Sequence, residues 1–324
     1  MRIGILGCSD ICKNVVLHPA EQIESVHVTA IASRDESKAH RFGEAYGIAH
    51  AFGSYSELMD SGCVDSVYIA MPPVFHAEMA EQALRRGLQV LVEKPACLTG
   101  EEARRVKAAA SKADSCCLEG LMVDRHPWQM DIRRLIEEKK FGQLRSVSTR
   151  IGMVMPDKMR TGFRLDPALG GGILFDEAPY WLGFLETTLC GAPQDVRIVS
   201  CRMYGQVPIE IEIAAKVGNV SATFWTSYDA PYEADHTLEF EGAQLNVRNF
   251  FRASMGKYKI HITTSDKSWT QSYAPQNYYE NQLLYFERLK NVSLTERLEN
   301  LDRLVRRADS LEYLNEKFQQ WRSQ

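Results

Sequence analysis

The chain has no apolar run approaching the roughly 18 residues of a membrane span, so no transmembrane segment is expected. It has no excess of positive charge. Lys and Arg number 38 against 42 Asp and Glu, for a net charge of −4, and the pI lies near 6.1. The electrostatic footprint of a nucleic-acid binder is therefore missing. The eight cysteines, at 8, 12, 63, 97, 116, 117, 190 and 201, have no paired metal-ligand spacing. The adjacent Cys116 and Cys117 suit a disulfide framework poorly, so no metal is expected and a reducing, cytoplasmic setting is. Ile5-Leu6-Gly7-Cys8 has the form of a lipoprotein cleavage site. Too few residues precede it for an apolar signal core, so no export signal is expected. There is no internal repeat and no low-complexity linker.

What remains is an ordinary globular composition, 45% apolar and 25% charged over 324 residues, a length that suits two domains. Near-continuous apolar runs at 2–7, 26–33, 65–70, 89–93 and 116–119 alternate with helical patterns at 36–46, 55–61, 76–86 and 100–112. That rhythm predicts an α/β fold, with a doubly wound parallel sheet of Rossmann type covered on both faces. Residues 1–120 form this dinucleotide-binding domain.

Beyond residue 120 the pattern changes. Helices are expected at 127–140 and 173–189, and strands at 143–152, 196–204, 209–217, 220–228, 236–240, 244–248 and 258–264. Residues 217–220 and 241–243 read as hairpin turns. Residues 121–324 are thus an α+β domain with a mostly antiparallel, open-faced sheet, for substrate binding and oligomerisation. The tail carries apolar residues at helical spacing from Leu298 to Trp321 and is expected to pack on its own domain.

The loop after the first strand, Gly7-Cys8-Ser9-Asp10-Ile11-Cys12, is a degenerate phosphate cradle. Dinucleotide folds want small residues at its first, third and sixth positions, here Gly7, Ser9 and Cys12. The amides of the following helix would face the phosphates. At the end of the second strand stand Ser33 and Arg34, with Lys38 a turn later. A hydroxyl and a guanidinium suit a 2′-phosphate, which points to NADP(H). NAD(H) is the alternative, with Asp35 as the acid that would take the ribose instead.

These segments, with Met71-Pro72-Pro73-Val74-Phe75-His76, Glu93-Lys94-Pro95, Arg125-His126-Pro127 and Gly170-Gly171-Gly172-Ile173-Leu174-Phe175-Asp176, occur in an order that resembles the glucose–fructose oxidoreductase, inositol dehydrogenase and rhizopine catabolism (GFO/IDH/MocA) family. The N-terminal half looks closest to NADPH-dependent ketoreductases of nucleotide-linked deoxysugars. The resemblance implies that Lys94 is catalytic beside the nicotinamide, that the Lys94–Pro95 bond is cis, and that Met71, Pro72, His76 and Glu93 line the cofactor cleft. It also implies an aspartate and then a His or Tyr proton donor on one helix, here Asp176 and Tyr180, four residues apart and so on one face. Arg125, His126, Arg164 and Asp166 are expected toward the substrate, with His126 the next candidate acid. The implied activity is hydride transfer to or from a carbonyl or secondary alcohol of a sugar, such as a nucleotide-linked keto-sugar, or of a cyclic polyol. Two alternatives stand beside it: an imine reductase or dihydrodiol dehydrogenase on the same fold, and a non-catalytic NADP-binding sensor. The partners expected are a small-molecule substrate and a second copy of the chain, as a homodimer or homotetramer through sheet residues 196–264.

Overall fold

A computed structural model of the chain describes residues 1–252 and 257–324, without the side chains of Arg125 and Lys158. It divides into two compact units, Met1–Met122 with Tyr279–Ala308, and Val123–Tyr278 with Asp309–Gln324.

The first unit is built on six parallel strands: β1 (Arg2–Leu6), β2 (His27–Ala32), β3 (His50–Phe52), β4 (Ser66–Ile69), β5 (Gln89–Val92) and β6 (Cys117–Glu119). Their order, β3-β2-β1-β4-β5-β6, reverses direction of winding between β1 and β4. Ligands of such sheets bind beyond the carboxyl ends of the strands at this reversal. Alternation along each strand explains why the runs are apolar throughout. Ile3, Ile5, Tyr68, Leu91 and Leu118 enter the core on one face. Leu6, Val67, Ile69, Val90, Val92 and Cys117 enter the core on the other. Burying each such side chain contributes about 1.5–3 kcal/mol. Three of its helices begin at side-chain caps: Asp35 accepts from the Lys38 amide, Ser54 from Glu57 and Thr99 from Glu102. Each cap contributes about 1 kcal/mol.

Two C-terminal segments complete this unit, a difference from the expected division at residue 120. Leu283, Phe286 and Leu289, on the helix Tyr278–Arg288, join the first core. Leu301, Leu304 and Ala308, on the helix Leu294–Arg322, join the second. The tail was expected to pack within 121–324. Helical periodicity shows that a helix has an apolar stripe; it does not say which sheet the stripe covers.

The second unit holds β7 (Leu144–Val154), β8 (Gln194–Tyr204), β9 (Val207–Val217), β10 (Val220–Ser227), β11 (Asp229–Phe240), β12 (Gln244–Val247), β13 (Tyr258–Thr263) and β14 (Ser268–Tyr273). They form one sheet in the order β14-β13-β12-β11-β7-β10-β9-β8. All its pairs are antiparallel except β7 with β10. Both expected hairpins are present, through Gly218 and Gly242. One face is core: Ile211, Ile213, Ala215 and Phe224 are buried, and Phe224 stacks on Trp181 of the helix Ile173–Leu189. The other face carries half-buried Ala214, Thr223 and Trp225, with the Arg150 guanidinium 4.0 Å over the Trp225 ring.

Candidate active site

In the first unit the loop after β1 turns at Gly7, whose φ of +108° is one that side chains disfavour. A Cβ there would fall 2.6 Å from the Ala70 carbonyl, so only glycine lets the loop lie against the end of β4. The loop then winds directly into the helical turn, the Cys12 amide donating to Ser9 O at 3.1 Å and the Lys13 amide to Asp10 O at 3.3 Å. Asp10 and Ile11 are exposed, and Cys8 and Ser9 half-buried. Cys12 is fully buried, and that burial pushes its thiol pKa up to about 12, as befits a packing residue.

At the end of β2, Ser33 Oγ accepts from the Asp35 amide. The Asp35 carboxylate is turned to capping its own helix, which answers the competition between acid and cation in the sequence. The exposed Arg34 guanidinium lies 5.9 Å over the Phe75 ring and beside the Tyr55 hydroxyl, whose pKa burial raises and Arg34 partly lowers. Cys8 Sγ lies 3.9 Å from the Lys38 carbonyl oxygen. Among the described residues no carboxylate pairs with Arg34 or Lys38. This glycine-bent loop and this uncompensated cationic pair fit a dinucleotide carrying a 2′-phosphate.

Lys94 follows β5 at the carboxyl edge of the sheet, and its bond to Pro95 is cis. Glu93 is anchored by the Tyr68 hydroxyl at 2.7 Å. His76, expected to wall the cofactor cleft beside Met71 and Pro72, is buried between two backbone carbonyls. Nδ1 lies 2.8 Å from Pro95 O and Nε2 2.7 Å from Met71 O. Burial pushes its pKa down against the pull of both carbonyls. The ring joins the loops after β4 and β5.

The second unit brings a different set together. Arg164 Nε donates to Asp176 Oδ2 at 2.6 Å, and the Tyr228 hydroxyl donates to the same oxygen at 2.7 Å. The carboxylate raises the Arg164 pKa, and burial, followed by Asp176, raises that of Tyr228. Asp176 lies in the first turn of the helix Ile173–Leu189. Tyr180, one turn on and nearly buried, meets Phe251 edge to face with centroids 4.6 Å apart. Pro179 lies inside the helix, where it has no N–H to offer the carbonyl four residues back.

Two expected substrate residues are engaged in capping. Asp166 caps the short turn Pro167–Leu169 through the Ala168 amide. His126 caps the helix Pro127–Glu137 and is buried amid the rings of Tyr258, Tyr273 and Tyr278. Burial pushes its pKa down to about 4, so it is a neutral core residue here. Its place in a motif concealed an apolar environment supplied by distant strands. The Arg125 side chain lies outside the described residues.

Two family models match in chain order. The oxidoreductase family, NAD-binding Rossmann fold, covers residues 1–121, and the GFO/IDH/MocA C-terminal domain covers residues 130–248. The chain belongs to the GFO/IDH/MocA oxidoreductase family. A family relative, the dTDP-3,4-didehydro-2,6-dideoxy-alpha-D-glucose 3-reductase of Actinomadura kijaniata, is 34% identical over 180 residues, 56% of this chain and 53% of that one. The match thus spans about half the length of that reductase. D-xylose 1-dehydrogenase (NADP(+)) 2 of Haloferax volcanii is 28% identical over 309 residues, 92% of each chain. The solved structure of a 3-ketoreductase from Actinomadura kijaniata in complex with NADP and TDP-benzene has a TM-score of 0.87 and 25% identity, covering 98% of this chain and 97% of that one.

Within the family frame, four residues around the site had no site role in the sequence; Tyr228 read as core or subunit interface. Tyr68 anchors Glu93, and Tyr228 holds Asp176. Glu119 accepts from the Ala96 amide and pairs with Arg307 at 2.6 Å. The available signal was an acid closing an apolar strand and an arginine beside the apolar stripe of a helix. Both are buried charges, which need partners.

Proposed function

We propose that the protein is an NADP(H)-dependent oxidoreductase that interconverts a carbonyl and a secondary alcohol on a sugar, with nucleotide-linked keto-sugars the leading class and cyclic polyols next. The observation that carries this reading is the Lys94 loop, which follows β5 at the carboxyl edge and is tied at Pro95 O by His76 and at the Ala96 amide by Glu119. The first unit is the dinucleotide-binding part, and the second binds substrate.

When bound, the cofactor supplies or accepts the hydride. Gly7, Cys8, Ser9, Asp10 and Ile11 would hold its phosphates, Ser33, Arg34 and Lys38 the 2′-phosphate, and Met71, Pro72, Glu93 and Lys94 its nicotinamide half. In the reductive direction Tyr180 donates its phenolic proton to the nascent alkoxide oxygen. Lys94 positions the ribose of the cofactor's nicotinamide half. Asp176 holds Arg164 in a fixed orientation from which the guanidinium donates to substrate oxygens. A homodimer or homotetramer forms through the second face of the eight-stranded sheet, a reading supported by Trp225 and Ala214 there and by exposed Val199 and Tyr204 on β8. Among the described residues no helix is long and apolar enough to cross a membrane.

The test is a screen for NADPH oxidation against nucleotide-linked keto-sugars, free keto-sugars, keto-inositols and cyclic imines, with the alcohols and dihydrodiols assayed in reverse. Turnover of a keto-sugar or inosose with NADPH preferred over NADH is expected. Turnover confined to imines or dihydrodiols, or tight NADPH binding with no turnover of any compound, would sink the reading.

A further inference from the structure

The helix Leu294–Arg322 lays a polar stripe along β6, the edge strand of the parallel sheet. Arg297 pairs with Asp114 at 2.7 Å and donates to its carbonyl. Asn300 Nδ2 donates to Cys117 O at 2.8 Å. Arg307 Nε donates to Glu119 Oε2 at 2.6 Å. Asp114 lies in the turn before β6, at a φ of +50°, and Cys117 and Glu119 are the first and last residues of the strand, so the three helix residues meet the turn and both ends of β6 in order. The first contact pins the turn that precedes β6, and the second closes the edge of the strand. The third leads inward. Glu119 Oε1 accepts from the Ala96 amide at 2.9 Å, while on the preceding residue Pro95 O is held by His76. The two backbone groups that follow Lys94 are therefore fixed from opposite sides, one of them by an acid whose partner lies 188 residues away in sequence.

Both members of the ion pair are buried, with side-chain exposures of 8% and 5%. Replacing such a pair by apolar side chains is often neutral or stabilising, because desolvation offsets the Coulomb attraction. Stability is thus a poor account of why two charges are buried behind this loop.

We propose that Arg307 and Glu119 are positioning residues for Lys94, fixing its loop through the Ala96 amide so that the ammonium is preorganised for cofactor and reaction. The proposal rests on the role given to Lys94 above. A carboxylate alone could accept from Ala96, but its side chain would be free to rotate; the bond from Arg307 holds it aimed at that amide.

The test is a cycle of variants in the full-length protein, read by NADPH fluorescence titration and by kcat and KM on a turned-over substrate. Glu119→Leu with Arg307→Met removes the acceptor while leaving no buried charge. NADPH affinity and kcat should fall about 10- to 100-fold, the weight of a small misplacement at a reacting group, with KM for the sugar little changed. Glu119→Gln with Arg307→Met restores an acceptor for Ala96 and should recover most of the loss. In a Lys94→Ala background the same pair changes should have less than about twofold effect, since they act through Lys94. Arg307→Lys, which keeps the charge and protects the fold, should show a smaller loss with the same dependence on Lys94. Wild-type affinity and kcat in the apolar pair, or equal losses in both backgrounds, would overturn the proposal alone. Wild-type behaviour of Lys94→Ala itself would overturn the role of Lys94 and this proposal with it.

Discussion

The Arg164 guanidinium reaches Asp176 because the peptide between them runs over Gly171. A Cβ at Gly171 would stand 2.3 Å from the Phe163 carbonyl and 2.6 Å from that of Asp166. The Gly172 amide then donates to Arg164 O at 2.8 Å, closing the loop onto the helix N-terminus. The glycine run is thus a device for folding residues 163–166 back on the helix that carries Asp176 and Tyr180. Gly171→Ala should push this loop away, lowering Tm by several degrees and cutting turnover while NADPH affinity stays normal. Unchanged kcat and Tm would mean the loop closes without the glycine.

Asp176→Asn leaves Arg164 largely buried without its carboxylate. A loss of about 2–4 kcal/mol in urea unfolding is expected, along with a fall in kcat. Tyr228→Phe removes one neutral donor and should cost about 1 kcal/mol. Equal costs for the two would show that the ion pair is not the dominant member.

Arg34 should discriminate between cofactors. Arg34→Ala is expected to weaken NADPH about 10- to 100-fold, the effect of one charge-assisted contact, with NADH little changed. Parallel titrations check this. Equal losses for both nucleotides would place the 2′-phosphate away from β2.

Three buried histidines, His76, His126 and His236, set a limit on acid stability. Burial pushes His126 down to about 4 and His236 down to about 3, while in the unfolded chain each titrates near 6.5. Below that pH the unfolded chain binds protons that the folded chain refuses, so stability present above pH 6.5 is lost as the pH falls toward the folded values. Between pH 7.5 and 5 His126 and His236 should each contribute a loss of about 2 kcal/mol. Urea midpoints at the two pH values measure it. His236→Phe keeps a plane stacked between Phe184 and Phe250 and should abolish about 2 kcal/mol of the loss. A midpoint independent of pH would show that these rings are solvated.

The parallel sheet was legible because its strands are buried on both faces and read as unbroken apolar runs. β3 and β14 were not. The first is three half-exposed residues, and the second, Ser268–Tyr273, is a polar edge strand without apolar alternation. Of the candidate site, Gly7, Lys94 and Tyr180 stand out in the sequence as motif positions. Glu119 with Arg307, and Arg164 with Asp176 and Tyr228, were not visible as partners. The partners lie 188, 12 and 52 residues apart, at no spacing that a helix or strand period would pair, and nothing local marks which buried charge meets which.

Association through the open sheet face is checked by light scattering at micromolar concentration. A dimer or tetramer is expected, and Trp225→Glu should shift it toward monomer by placing a charge on the face that pairs. A wild-type monomer would leave that face solvated.

The central claim concerns the Tyr180 hydroxyl, and Tyr180→Phe tests it most directly. The ring and its edge contact with Phe251 remain, so the fold and NADPH affinity should persist. On a substrate that the wild-type enzyme reduces, kcat should fall about 10²- to 10⁴-fold, the usual weight of general acid catalysis. A kcat within a fewfold of wild type, with the protein folded and NADPH bound, would contradict the account.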